Sequence, residues 1–115
     1  MITLYGIPNC DTIKKARAWL AEHDIAYDFH DYKKAGIDEA ILRAWVKELG
    51  WQTLLNTRGM MWRKVSPAVK EKIDEATAIA LMLETPSMIK RPVLDDGQTR
   101  TVGFTPERYS TLFGV

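Results

Sequence analysis

Cysteine is nearly absent from this chain: Cys10 is the only one in 115 residues, so no internal disulfide can form. Histidine is almost as scarce. His23 and His30 have no partner at ligand spacing, and no metal site is expected. The chain also lacks an excess of either charge, with 16 Lys and Arg against 15 Asp and Glu. No global field therefore favours nucleic acid or an anionic membrane, and any anion site must be local. No apolar run approaches the roughly 18 residues of a membrane span. The opening "MITLYGIPNC" lacks the basic and long apolar regions of a secretory signal. The expectation is a cytoplasmic protein with no membrane or nucleic-acid partner. Its 46% hydrophobic residues suffice for one domain with an ordinary core.

What is present is a clear succession of patterns. "ITLY" is a short apolar, β-branched run stopped by Gly6 and Pro8, which predicts a buried strand. From Asp11, the spacing of Ile13, Ala16 and Leu20 predicts an amphipathic helix. "AYDFHDY", residues 26–32, alternates as a second strand does. Two strands joined through a helix pair in parallel. Ile37, Ile41, Leu42, Trp45, Val46 and Leu49 mark another helix, with Asp38 and Glu39 at its start and Gly50 at its stop. Pro67 fits the first turn of a further helix burying Val69 and Ile73, and residues 75–84 form one more, ended by Thr85 and Pro86. Residues 37–85 thus read as all-helical. "RPVLDDGQTRTVGF" then predicts a hairpin turning at Asp95, Asp96 and Gly97. A last helix has Thr105 as N-cap and Pro106 as its first residue. This order predicts a thioredoxin-like α/β fold: one domain over residues 1–115, a four-stranded mixed sheet, and a helical insertion at about 37–85.

The single thiol falls where the first strand hands over to a helix. A cysteine with an unperturbed pKa near 8.5 is only about 3% thiolate at pH 7. At a helix N-terminus, unpaired N–H groups and the positive end of the dipole favour the anion by roughly 0.3 to 2 kcal/mol. One nearby cation adds to this, and Lys14 is the local candidate. Asn9 and Thr12 can donate to sulfur or cap the helix, whereas Asp11 opposes a thiolate. The alternative is a capped, half-buried and inert thiol. Ile13 stands where C-x-x-C would place a second cysteine, so an oxidised Cys10 must be resolved by a thiol from another molecule.

Two arginines are placed to meet anions: Arg58 beside Gly59 in "NTRGMMWRK" and Arg91 before Pro92 in "IKRPVL". Taken singly, each reads as a solvated surface charge. Trp45 at helical spacing reads as core, and the basic pairs at 33–34 and 63–64 read as solvated faces.

Together "LYGIPNCDTIKKA", "LLNTRG" and "KRPV" resemble the ArsC-like arsenate reductase family, in its YffB and Spx-like branch, over essentially the whole chain. The resemblance implies a thioredoxin fold, a nucleophilic Cys10, anion contacts from Arg58 and Arg91, and a cis Pro92. The chain departs from the arsenate reductase pattern at Gly6, where that pattern has histidine, and at Lys14, where it has arginine. The third arginine is not matched securely, and Arg108 is not carried over. Two guanidinium groups compensate a desolvated arsenate dianion less well than three. They do suit glutathione, whose carboxylates pair with arginines while its sulfur meets Cys10. The expectation is a glutathione-dependent thiol reductase with no tightly bound cofactor, acting on an oxidised thiol or oxyanion. Arsenate reduction is the alternative within enzymes. An Spx-like module that contacts RNA polymerase as protein partner is the alternative of another class.

Overall fold

A computed structural model, describing residues 1–115, begins with β1 (Thr3–Gly6), α1 (Asp11–Glu22) and β2 (Asp28–Asp31). Six helices follow: α2 (Tyr32–Ala35), α3 (Glu39–Leu49), α4 (Trp51–Leu54), α5 (Met60–Arg63), α6 (Pro67–Glu71) and α7 (Glu75–Glu84). After a 3-10 turn at Pro86–Met88 come β3 (Val93–Asp95), β4 (Arg100–Val102) and α8 (Pro106–Phe113). The chain divides into two compact units: Met1–Asp31 with Arg91–Val115, and Tyr32–Lys90.

The first unit is built on a four-stranded sheet in the order β2-β1-β3-β4. β1 and β2 are parallel, with Leu4 opposite Phe29, as their helical connection requires. β3 runs antiparallel to both β1 and β4, pairing Leu4 with Leu94 and Leu94 with Thr101. This is the thioredoxin-like mixed sheet that the element order predicts. Leu4 and Leu94 pack with Ala16, Trp19 and Leu20 of α1 and with Tyr109 of α8. Tyr109 meets Trp19 edge-on at 5.6 Å and Phe104 at 4.7 Å, the T-shaped geometry that aromatic quadrupoles favour.

The second unit is mainly helical and has its own buried set, including Leu42, Trp45, Val46, Leu54, Ile79 and Met82. Trp45 is 1% exposed and belongs to this core, as its spacing predicts. Asp38 caps α3 by accepting the Ala40 N–H at 2.8 Å, and Gly50 ends it at φ 86° with its N–H on the Val46 carbonyl. No helix is long and apolar enough to cross a membrane.

Several boundaries differ from the sequence reading. The second strand covers only Asp28–Asp31, and the helical unit starts at Tyr32 and runs to Lys90. It is not wholly helical: Leu55 and Ile89 form an antiparallel bridge. The helix after Pro67 stops at Glu71, leaving Val69 and Ile73 only half-buried. The Asp74 carboxylate accepts the Thr77 N–H at 2.9 Å and starts α7, so α6 has to end before it. Asp95 belongs to β3 opposite Arg100, and the hairpin connection is therefore the four residues 96–99. There Asp96 accepts the N–H groups of Gln98 and Thr99, while Gly97 takes φ 92°.

Candidate active site

Cys10 is the N-cap residue of α1, held by main-chain bonds on both sides. Its N–H donates to the Ile7 carbonyl at 3.2 Å, and its carbonyl accepts the Lys14 N–H at 3.0 Å. With an extended backbone (φ −87°, ψ 131°), it stands outside the helix and caps it with no side-chain bond. The sulfur is free and half-buried. The open N–H groups of the first helical turn are what make such a corner attractive to an anion.

Partial burial pushes the thiol up, but four effects together outweigh it: the Ile13 N–H, a hydrogen bond from the Arg91 side chain, the Thr12 N–H and the positive charge of Arg91. The net result lies below the ordinary cysteine value. The chemistry available is that of a nucleophile whose anion is favoured over that of an ordinary cysteine, in hydrogen-bond reach of a guanidinium.

Arg91 is brought to the sulfur by the entry to β3. The Arg91–Pro92 peptide bond is cis, and the Gly103 N–H donates to the Pro92 carbonyl at 2.8 Å, tying this segment to the end of β4. Pro92 itself is buried. Arg108 is engaged elsewhere. Its guanidinium donates to the Val102 carbonyl at 2.7 Å and so braces the backbone between β4 and α8.

The other expected site residues are distributed unevenly. Thr12 acts on the thiol through its main chain, which favours the anion. Asn9 is exposed and does not cap α1, because Cys10 occupies that position. Lys14 is exposed and provides the N–H that closes the first turn; the cation bonded to the sulfur is Arg91. Arg58 lies in the helical unit, in an exposed turn where its N–H donates to Asn56 Oδ1 at 3.0 Å. The Ile13 N–H is a site group that side-chain chemistry alone does not reveal, although a cysteine at the N-cap already implies that the third helical residue faces it.

With this corner in view, similarity becomes informative. Residues 5–112 match the model of the ArsC family. The chain belongs to the ArsC family. A solved structure named YFFB (PA3664) protein shares 58% identity, with 96% of this chain and 97% of that one covered, at a TM-score of 0.93. An arsenate reductase (ArsC) related protein from Brucella melitensis shares 48% identity over 99% of this chain and 95% of its own, at a TM-score of 0.80. The global transcriptional regulator Spx of Streptococcus agalactiae is 29% identical over 93% of this chain and 79% of its own length. This ArsC-family chain is thus similar both to arsenate reductase-related proteins and to a regulator.

Proposed function

We propose that this ArsC-family protein is a glutathione-dependent thiol reductase. The observation that carries the reading is the Cys10 sulfur, half-buried at the N-cap of α1, where the neighbouring main chain and Arg91 hold the thiol below the ordinary cysteine value. In the first step the Cys10 thiolate attacks one sulfur of a substrate disulfide; a Cys10–substrate disulfide forms and the other substrate sulfur leaves as a thiolate. A glutathione thiolate then attacks the substrate sulfur, releasing Cys10 as thiolate and leaving the substrate joined to glutathione. A second glutathione completes the reduction and forms glutathione disulfide. Because Ile13 fills the place of a second thiol, an external thiol is needed at each resolving step.

Arg91 supports this chemistry twice, by stabilising the attacking thiolate and by offering a cation to a glutathione carboxylate. The test is turnover of a small disulfide with glutathione as reductant. Wild type is expected to be active and Cys10→Ser inactive; activity retained in Cys10→Ser would overturn the reading. Substituting arsenate in the same assay separates arsenate reduction, the reading favoured by the Brucella relative's name. Spx similarity supports the regulatory alternative, for which RNA polymerase would be retained equally by wild type and Cys10→Ser.

A further inference from the structure

From Asn56 to Thr77 no residue is buried, although Met60, Met61, Trp62, Val65, Val69 and Ile73 all lie in this stretch. On either side of it the helical unit buries Leu54 and Leu55, then Ala78 and Ile79. α5 and α6 have four and five residues and bury none of them. Helices this short do not hold themselves in water. Local bonds define them instead: the Lys64 and Val65 N–H groups donate to the Met61 and Trp62 carbonyls, and the Ser66 hydroxyl accepts the Val69 N–H at 3.4 Å. Lys70 Nζ stands 5.4 Å from the centroid of the Trp62 ring, which joins the two helices in one surface. Met60 opens α5 and is 73% exposed, and a cavity of about 240 Å³ is lined by Ala68, Val69, Lys72 and Thr77.

Charge is segregated on the same stretch. From Met60 to Lys72, the cations Arg63, Lys64, Lys70 and Lys72 face Glu71 alone, so these residues carry +3 while the rest of the chain carries −2. The next acids, Asp74 and Glu75, begin α7, where the Asp74 carboxylate caps the helix. Arg63 and Lys64 are exposed, as a solvated face requires, but solvation does not account for the thioethers and indole beside them. Methionine, an aromatic ring and arginine together are the composition of a protein-binding surface, and a positive field selects an acidic partner. We infer that α5 and α6 form a docking surface for a carboxylate-rich peptide segment that also carries apolar side chains: its acids pair with Arg63, Lys64 and Lys70, while its apolar groups cover Met60 and enter the cavity beside Val69. Neither Cys10 nor glutathione takes part, so this docking does not rest on the reductase reading.

The experiment is a titration of the full nitrogen-labelled chain, read by amide chemical shifts, with a short synthetic peptide that intersperses glutamate with leucine and phenylalanine. Saturable shifts are expected from Met60 to Ile73, with Val69 at the cavity among them, and affinity should fall as salt rises. Arg63→Glu combined with Lys64→Glu should weaken binding about tenfold, and Met60→Ser about fivefold. A peptide with the same glutamates but serine in place of leucine and phenylalanine should also bind about fivefold more weakly. Lys34→Glu combined with Lys47→Glu makes the same change of net charge on exposed residues of α2 and α3, and should leave the affinity in place.

Absence of saturable shifts would overturn the inference, as would shifts spread over cations elsewhere in the chain. Equal weakening by the Lys34 and Lys47 pair would reduce the effect to net charge, and equal binding of the serine peptide would remove the apolar contribution; either result contradicts a docking surface of this kind. Single-stranded DNA and vesicles rich in anionic lipid, titrated in place of the peptide, should bind more weakly than it does. Tighter binding of either one at the same residues would overturn the peptide proposal and assign the surface to that class of partner. Every substituted position is exposed, and far-ultraviolet circular dichroism verifies that the variants fold. A wild type that lacks glutathione-dependent turnover would sink the reductase reading and leave this result unaffected.

Discussion

At Cys10, opposed influences meet on one sulfur. Burial favours the neutral thiol, while the Ile13 and Thr12 N–H groups and Arg91 favour the anion and prevail. The sign of the pH dependence follows. A folded thiol below its unfolded value contributes stability that is fully present above the unfolded value and is lost as pH falls through the folded one. Denaturant titrations of wild type and Cys10→Ser should therefore diverge in wild type's favour as pH rises through that window. A difference that is flat with pH would contradict the lowered thiol. Arg91→Ala should raise the pH midpoint of alkylation, whereas Lys14→Ala should leave it nearly unchanged. In sequence Lys14 is the nearer cation; the guanidinium that bonds the sulfur comes from the far end of the chain, beyond what local spacing can show. Only the family resemblance points to Arg91 as its partner.

Among the elements, ends were legible where a side chain or backbone rule sets them. Thr105 accepts the Arg108 N–H at 3.1 Å with Pro106 at the first position, and α7 spans Glu75–Glu84 as its apolar positions imply. The end of α6 was hidden because its own residues permit a longer helix, and the competing cap at Asp74 lies outside it. Protonation of Asp74 should loosen the start of α7, since the Thr77 N–H holds this carboxyl below the usual carboxylate range. Chemical-shift titration of the Thr77 amide would register that loss as pH falls. In α8, Tyr109 is fully buried and its hydroxyl has no hydrogen-bond partner, with burial pushing the phenol well above its ordinary value. Tyr109→Phe keeps the ring contacts and removes the desolvated oxygen, so it should stabilise the fold by about 1 kcal/mol. A denaturation midpoint that falls would contradict this packing.

For the whole molecule, the order of strands and helices was enough to give the mixed sheet, because a strand-helix-strand link imposes parallel pairing and the Asp-Gly segment imposes a hairpin. The reach of the helical unit to Tyr32 and Lys90 was less legible: α2 is a single turn, too short for a periodic signal, and the Leu55–Ile89 bridge joins residues distant in sequence. The family resemblance implies an anion contact for Arg58; on that proposal Arg58→Ala is expected to weaken saturation by glutathione without moving the Cys10 alkylation profile. An unchanged glutathione dependence would remove Arg58 from the proposal.

The most direct measurement is the intact mass of the protein after incubation with oxidised glutathione near neutral pH. Attack by the Cys10 thiolate should add one glutathione through a disulfide and release one reduced glutathione, with no adduct on Cys10→Ser and slower formation on Arg91→Ala. An unmodified wild type under conditions where free small thiols exchange readily would contradict a reactive Cys10.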